Sequence, residues 1–372
     1  MLTISRYRPG AMNMHDDSTR RWIGEAPIYG VALALFALCV ALLASRGIVL
    51  VDAGPVLANA RLYLLAIVAW ASVDAALHLA RHRPAAPIAA LHRRYAGPAA
   101  ARRWFAGVPL LALCVLLMPF FSKMKSAIPL FNDYTWDAAF IAWDRAIFFG
   151  HDAWQALQPL VGYPLVTAGL AVLYHAWLLL PYLGCLYFAF GTVDRTVRRR
   201  FFFTYVLAWS VIGGGVATLL AAVGPCFVGP LLGDPSFDAQ MAYLNAADAH
   251  VPIMTLPVQK MLLDWHLTDA SGLGSGITAM PSMHVAIAFL FWIAARHVSP
   301  RAGRWLGAFF VAIWIGSVHL AYHYAVDGLV SVVLVAILWR ASAVIFRWWD
   351  ARVAASAARI HPILRTKTVP AE

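Results

Sequence analysis

Two short polar segments in an otherwise apolar chain carry the residue types that could do chemistry. Residues 274–284 read GSGITAMPSMH, and residues 319–327 read HLAYHYAVD. They place His284, His323 and Asp327 beside apolar segments of membrane-spanning character, where ionisable side chains usually serve a function. The 39 residues from His284 to His323 are enough for two membrane crossings of about 20 residues each. Because a chain that crosses twice returns to its starting face, the spacing predicts that these three side chains meet.

The chemistry of the three side chains suits phosphoryl transfer. His323 and Asp327 are four residues apart, so the carboxylate can accept a hydrogen bond from one imidazole nitrogen and leave the other with a free lone pair. That arrangement is typical of an oriented base or nucleophile. His284 follows a glycine-rich loop and opens a helix, where backbone N–H groups favour anions. Together they indicate a phosphohistidine mechanism in which His284 acts as the acid.

Composition identifies the class of protein. Hydrophobic residues make up 62% of the 372 residues and charged residues 13%, and the mean hydropathy is +0.69. Repeated apolar runs of spanning length predict an all-α polytopic membrane protein. The net charge of +11 comes mostly from arginines in loops on one side, so it does not indicate a nucleic-acid partner. Three of the four cysteines lie in apolar runs and only Cys226 lies in a loop, so no disulfide framework is expected.

About eight transmembrane helices are predicted, at residues 27–45, 62–80, 104–121, 163–190, 201–223, 284–297, 305–323 and 325–340. With this topology 23 of the 29 lysines and arginines lie on one face. The positive-inside rule therefore predicts that both termini are cytoplasmic. Both polar segments then lie on the outer face, and we expect a bacterial cytoplasmic (inner) membrane with a periplasmic active site.

The chain divides into four parts at the sequence level. We expect a cytoplasmic N-terminal tail at residues 1–26, followed by two additional transmembrane helices and a basic cytoplasmic loop at 27–103. A six-helix catalytic core is expected at 104–340 and a basic cytoplasmic C-terminal tail at 341–372. Apolar residues recur at helical spacing through 136–145, which predicts an interfacial helix in the first long outer loop. The C-terminal tail is expected to form a basic surface helix that contacts anionic lipid.

The polar segments resemble the type 2 phosphatidic acid phosphatase superfamily, most closely the branch that contains fungal inositol phosphorylceramide synthase and related bacterial membrane proteins. Residues 275–286 and 316–328 carry the resemblance, residues 144–150 and 224–226 add weaker likeness, and the whole covers residues 104–340. The resemblance implies that His323 is the nucleophile, Asp327 its orienting carboxylate, and His284 the acid that protonates the leaving oxygen.

The sequence departs from two signatures of this superfamily. Its phosphatases and haloperoxidases carry KxxxxxxRP and SRxxxxxHxxxD, but neither Lys123 nor Lys125 is followed by Arg-Pro at that distance. Gly316 and Ser317 precede His323 by seven and six residues, so the arginine of the last signature is missing too. Those basic groups hold the phosphate, and their absence argues against a haloperoxidase. The sphingolipid-synthase branch also lacks both signatures and passes the phosphoryl group to an alcohol.

Four further residues are candidates for substrate contacts. Arg145 and Lys260, both on the predicted outer side, could supply the missing positive charge, and Ser282 and His319 flank the two catalytic histidines. An ion pair between Arg145 and its neighbour Asp144 is the competing interpretation. No cofactor and no obligate protein partner is indicated. The expected partners are membrane lipids, with a phospholipid donor and a lipid or polyol alcohol as acceptor.

Several alternatives stay open at this stage. Hydrolysis of phosphatidic acid or a polyprenyl (pyro)phosphate differs from transfer only in what attacks the phosphohistidine, and a non-enzymatic transporter or scaffold is a further possibility. On one helix, His319, His323 and Asp327 would span about 12 Å, which is too far for all three to bind one metal ion. Only a site on two helices that includes His284 could bind a metal. We predict an enzyme that does not depend on a metal. Asp74 is interpreted as paired within the bundle. Three residues of the fourth span are interpreted as packing or lipid-edge residues in preference to substrate contacts: Tyr174, His175 and Trp177.

Overall fold

The computed structural model describes residues 14–48, 53–268, 270 and 272–365. Within these residues the chain is helical and has no β-strand, which confirms the predicted all-α class. The predicted N-terminal and C-terminal tails extend past this range, and their residues 1–13 and 366–372 lie outside the described residues.

Thirteen longer helices follow one another along the described chain. They are α1 (Met14–Ala44), α2 (Ala53–His82), α3 (Pro87–Ala96), α4 (Pro98–Ser126), α5 (Asp137–Ile147), α6 (Ala153–Val161), α7 (Pro164–Phe190), α8 (Arg195–Leu219), α9 (Asp238–Asp248), α10 (Thr255–Leu267), α11 (Met283–Ala295), α12 (Pro300–His319) and α13 (Ala325–Arg365). Wide π-helical turns interrupt α7 at Leu180–Gly184 and α8 at Ala208–Val216.

Six of these helices, α1, α2, α4, α7, α8 and α13, are long and apolar enough to cross a membrane. The protein is therefore an integral membrane protein. The remaining two predicted spans correspond to α11, a shorter apolar helix, and α12, whose 20 residues extend about 30 Å. These two helices pack against each other, and their crossing of the membrane stays a prediction.

Two helices extend beyond the predicted ends of their spans. The third span was expected to end at residue 121, but α4 continues to Ser126 and carries Lys123 and Lys125 in its last turn. Lysines suit that position because their charge complements the carbonyl end of the helix dipole. The basic tail was expected to form a surface helix; its residues up to Arg365 are helical and continue the predicted eighth span without a break, as part of α13.

Helix α11 lies at the centre of the bundle, in contact with α7, α8, α12 and α13. The two helices that precede the predicted core lie at its edge. Only 17% of the apolar window of α1 and 6% of that of α2 are buried, compared with 61% for α8. Helix α1 contacts α4, α8 and α13, so it forms part of the wall around the central helices.

Basic segments from distant parts of the sequence meet at one end of the bundle. The guanidinium of Arg198 pairs with Glu25, and both side chains are buried. Arg199 pairs with Asp350 at 2.8 Å. These contacts join the start of α8 to the N-terminal and C-terminal helices, so three of the basic segments that were predicted to share a face lie together.

Asp74 is paired, as the sequence interpretation held. Its carboxylate accepts hydrogen bonds from Arg94 Nε at 2.6 Å and from the Tyr95 hydroxyl at 2.6 Å. These contacts join α2 to α3 and account for an ionisable side chain within a membrane helix. All four cysteines have free thiols.

Candidate active site

His323 is held in a single orientation by two acceptors on the same ring nitrogen. Its Nδ1 lies 2.8 Å from the carbonyl oxygen of Ala279 and 3.2 Å from Oδ2 of Asp327. A carbonyl oxygen can only accept a hydrogen bond, so Nδ1 must carry the hydrogen. The neutral imidazole then has its lone pair on Nε2, which is the nitrogen that a nucleophile or base needs free.

Asp327 lies in the first turn of α13 and is fully buried. Its Oδ2 also accepts a hydrogen bond from the backbone N–H of Tyr324 at 3.0 Å. The carboxylate is therefore fixed from two sides while it orients His323. Its other oxygen, Oδ1, has no hydrogen-bond partner within the described structure.

Two carboxylates of α5 anchor the segment that carries His323. Asp144 accepts hydrogen bonds from the N–H groups of Ala325 at 2.7 Å and Val326 at 2.9 Å. These donors belong to the first turn of α13, which lacks partners within its own helix. Burial raises the pKa of the Asp144 carboxyl, and the two N–H bonds oppose that shift. Asp137 accepts a hydrogen bond from the Tyr324 hydroxyl at 2.7 Å.

Residues 222–226 form a strap that joins both polar segments. Gly224 N–H donates to Asp137 at 2.9 Å, the N–H of Ala279 donates to Ala222 O at 2.9 Å, and that of Cys226 donates to Ala321 O at 2.8 Å. Gly224 has φ +89°, and a Cβ there would lie 2.7 Å from the carbonyl oxygen of Tyr322. Only glycine fits at this crossing, which gives a structural reason for the glycine in residues 224–226, one of the two segments with weaker resemblance to the superfamily.

His284 faces His323 across a cavity. The two ring centroids are 6.2 Å apart, and the ring nitrogens of His284 have no hydrogen-bond partner among the residues described. The ring lies between Tyr174, stacked at 4.2 Å, and Trp177 at 4.3 Å. Trp177 also donates from Nε1 to the backbone oxygen of His284 at 2.9 Å. Tyr174 and Trp177 therefore pack on a catalytic candidate, and with His175 they also line the cavity, so the sequence interpretation of these three as packing or lipid-edge residues was incomplete.

The cavity that both histidines line has a volume of about 300 Å³ and mostly apolar walls from α4, α7, α8 and α10. Lys125 also lines it. The side chain of Lys125 is half-buried and has no ion-pair or hydrogen-bond partner in the described part of the chain. Tyr174 and Thr278 add buried hydroxyl groups that are likewise without partners there. One cation and two hydroxyls among apolar walls suit an anionic group on an apolar body.

The end of α4 is fastened to the glycine-rich loop, which sets the position of Lys125. The hydroxyls of Ser126 and Ser275 lie 2.8 Å apart, and the N–H of Gly274 donates to Ser122 Oγ at 2.8 Å. A Cβ at Gly276 would lie 2.8 Å from the backbone carbon of Lys125. The loop that leads to His284 therefore approaches α4 closely enough to bring its lysine into the same cavity.

The two basic candidates from the sequence do not line this cavity. Arg145 pairs with Asp152 at 2.7 Å, not with its neighbour Asp144, and the resulting ion pair raises the pKa of its guanidinium. Lys260 is exposed on α10. The structure brings Lys125 to the cavity instead. A lysine in the last turn of a membrane helix is an ordinary interfacial residue, so its sequence position alone held no functional signal.

The other two substrate-contact candidates also lie outside the cavity. Ser282 is buried at the start of α11, where its hydroxyl accepts a hydrogen bond from Val285 N–H at 3.4 Å. His319 is buried, and its Nε2 lies 2.9 Å from the hydroxyl of Thr167. With His319 turned to α7, the two-helix metal site that the sequence left open is not assembled. No group of three His, Cys, Asp or Glu side chains in the described chain is placed to hold a metal ion.

Comparison with known proteins identifies the family. No curated protein and no solved structure matches the chain. The sequence model of the PAP2 superfamily matches residues 138–341, which is more than half of the 372 residues. The match begins within α5, contains His284, His323 and Asp327, and leaves α1 to α4 outside. The chain belongs to the PAP2 superfamily.

Proposed function

We propose that this protein is a membrane phosphotransferase that moves a phosphate-containing headgroup from a phospholipid to an alcohol through a phosphohistidine on His323. The observation that carries the proposal is the pair of acceptors on Nδ1, which leaves Nε2 of a cavity-lining histidine unengaged. Members of the superfamily are typically phosphatases and phosphotransferases, which supports the reaction class.

The first half-reaction transfers the phosphoryl group to the enzyme. The lone pair of His323 Nε2 attacks phosphorus, and the bond from phosphorus to the donor lipid's oxygen breaks. His284 gives that oxygen a proton, so the donor leaves as an alcohol. The Nδ1–H group of His323 stays in place, and the charge that develops on the ring is balanced by Asp327.

The second half-reaction returns the enzyme to its starting state. The acceptor's hydroxyl oxygen attacks phosphorus, its proton passes to His284, and the bond between phosphorus and Nε2 breaks. Lys125 is the cation within reach of the phosphate oxygens in both steps. It takes the role of the basic residues that the superfamily's phosphatases carry in signatures this chain lacks.

Hydrolysis is the second candidate, because the superfamily includes phosphatases and water can replace the alcohol without any change of residues. Transfer is preferred on the sequence resemblance to the inositol phosphorylceramide synthase branch. The proposal places the catalytic core at residues 104–340 and the site on the extracytoplasmic face of a bacterial inner membrane, with no metal or other cofactor. The mostly apolar walls of the cavity support lipids as both donor and acceptor class.

Lipid mass spectrometry on cells with and without the protein tests this proposal, because it reports donor and product together. Cells with the wild type should gain a phosphate-containing product lipid and lose its donor, and His323→Ala should reverse both changes. Free phosphate with no new phosphorylated lipid would assign hydrolysis instead. Identical lipid profiles with wild type and His323→Ala would overturn both activities.

Two neighbouring lysines provide a matched test of the phosphate contact. Lys125→Met removes the cavity cation, and Lys123→Met removes a half-buried lysine of the same helix turn that does not line the cavity. A hydrogen bond to a charged group contributes about 1.5–3 kcal/mol, so Lys125→Met should lower kcat/KM by about 10- to 100-fold. Lys123→Met should stay near wild type, and equal loss in both variants would remove Lys125 from the mechanism.

A further inference from the structure

A second apolar groove lies beside the catalytic cavity, between α1, α4 and α8. Its volume is about 100 Å³. Helix α1 forms one wall between Leu35 and Leu42, a stretch of about 10 Å along the helix axis. This stretch and the facing part of α4 lie near the ends of those helices at Ala44 and Ser126, which is the end of α4 that carries Lys125.

The groove and the catalytic cavity share a wall. Phe121 and Trp209 line both spaces, and their rings meet edge to face at 4.6 Å. On α4, Leu117 and Met124 face the groove, whereas Lys125 faces the cavity. The groove therefore lies directly on the other side of this aromatic pair from the catalytic cavity.

Missing side chains on α8 create the open space of the groove. Gly214 and Gly215 line it within the wide π-helical turn. A Cβ on Gly215 would meet nothing within 4 Å, and one on Gly214 would come no closer than 3.7 Å to Met124. Gly215 is exposed, so a larger side chain there has room to extend into the groove, and packing does not require this glycine.

We propose that this groove holds one acyl chain of the phospholipid whose phosphate lies between His284 and His323. The inference rests on the proposed function and names the substrate class of that site as a two-chain lipid. Such a lipid has two apolar chains on one headgroup, and the structure offers two apolar spaces, one on each side of Phe121 and Trp209. Apart from Ser210, side chains of the groove are apolar, which excludes a headgroup there because its polar atoms would lack partners.

Helix α1 gains a role from this arrangement. It lies outside the region that matches the family, yet it supplies the outer wall of the groove. The peripheral helix therefore shapes the lipid site, in addition to any part it has in membrane insertion.

Filling the groove tests the inference. Gly215→Leu places a side chain in it, and Gly169→Leu is the matched control, because Gly169 is an exposed glycine of membrane helix α7 whose Cβ would also meet nothing within 4 Å. Purified variants are assayed with dioleoyl phosphatidic acid and dihexanoyl phosphatidic acid. Gly215→Leu should lower kcat/KM for the dioleoyl lipid at least tenfold and leave the dihexanoyl lipid near wild type. Unchanged kinetics, or equal loss on both lipids, would overturn the inference.

A photocrosslinking arm separates this inference from the proposed function. Phosphatidic acid with a diazirine midway along one 18-carbon chain is bound to the full-length protein and irradiated, and adducts are located by mass spectrometry. Wild type and Gly169→Leu should give adducts between Leu35 and Leu42, reduced several-fold in Gly215→Leu. This pattern without any turnover would uphold the groove and reject the proposed function. Two results would overturn the groove assignment. In one, the adducts persist in Gly215→Leu. In the other, an unlabelled sterol displaces the labelled lipid and unlabelled phosphatidic acid does not.

Discussion

Replacing Asp327 with asparagine tests how the imidazole of His323 is held in one tautomer. In the wild type, Nδ1–H has two acceptors, Ala279 O at 2.8 Å and Asp327 Oδ2 at 3.2 Å. Asparagine keeps the shape of the side chain and one acceptor oxygen but loses the negative charge. The carbonyl of Ala279 is the closer acceptor and is unaffected by the change.

The expected loss of activity follows from these two contacts. The analogous change in serine proteases lowers the rate about 10⁴-fold because the amide favours the wrong imidazole tautomer. Here the carbonyl of Ala279 still requires hydrogen on Nδ1, so the tautomer is retained and only the charge that stabilises the imidazolium is lost. That charge-assisted hydrogen bond contributes about 1.5–3 kcal/mol, which corresponds to a decrease in kcat/KM of about 10- to 100-fold.

The assay compares three variants of α13 in the same detergent, with the thermal unfolding midpoint measured alongside turnover. Asp327→Asn should lose about 10- to 100-fold, as derived above. Asp327→Ala should lose more, because Tyr324 N–H then loses its acceptor as well. Asp350→Asn is the control, since it removes a carboxylate of the same helix that lies far from Asp327 along the chain and pairs with Arg199 of α8. Its activity should stay within about twofold.

Two results would refute this reasoning. A loss of 10⁴ or more in Asp327→Asn, with an unchanged unfolding midpoint, would show that Ala279 does not hold the tautomer. A loss below about threefold would show that the carboxylate neither orients nor stabilises His323.

His284→Ala should lose about 10² to 10⁴ in rate on a natural lipid but much less on a p-nitrophenyl phosphodiester, whose leaving group needs no proton; equal losses on both would make His284 a phosphate ligand instead of the acid. Because one histidine must be neutral and the other protonated, the wild-type rate should be bell-shaped in pH. Activity should survive EDTA, and complete loss that zinc or magnesium restores would move the mechanism to a metal. A cysteine that replaces the exposed Asn245 should react with an impermeant reagent in spheroplasts, and one that replaces the exposed Arg301 should not. The reverse labelling pattern would invert the predicted topology. Arg198 lies on the same basic face as Arg301 but is unsuitable as a labelling site because it is buried. Gly213→Ala should lower the free energy of unfolding by about 1–3 kcal/mol, because its Cβ would lie 2.6 Å from the Phe121 ring, and an unchanged thermal midpoint would contradict this tight packing.

The sequence could predict that His284, His323 and Asp327 lie close together, because their relative placement depends on only a few physical constraints. Two helix lengths separate the polar segments, so the topology alone returns them to one face. The spacing of four positions from His323 to Asp327 favours a direct contact, and the structure has that contact at 3.2 Å. Hydropathy likewise predicts most of the spans, since a membrane requires long apolar helices.

The residues around them were not predictable, because their roles depend on contacts between distant segments. Lys125 reaches the cavity only because serines and glycines bring the end of α4 against the loop before His284. Arg145 could have paired with several carboxylates, and only the fold selects Asp152. Asp144 has no sequence signal for its role, because its partners are backbone N–H groups 181 and 182 residues away.

The hydrogen bonds of α5 have a consequence for the order in which the protein is made. During synthesis Asp137 and Asp144 leave the ribosome long before the donors that they bind. Asp137 gains its first hydrogen-bond donors when Val223 and Gly224 of the strap have been made. Asp144 gains its donors only when Ala325 and Val326 of α13 have been made. Until α13 is made, the Asp144 carboxylate therefore lacks both of its backbone N–H donors. Because α13 also carries Asp327, its docking against α5 completes the candidate site and the helical bundle in one step.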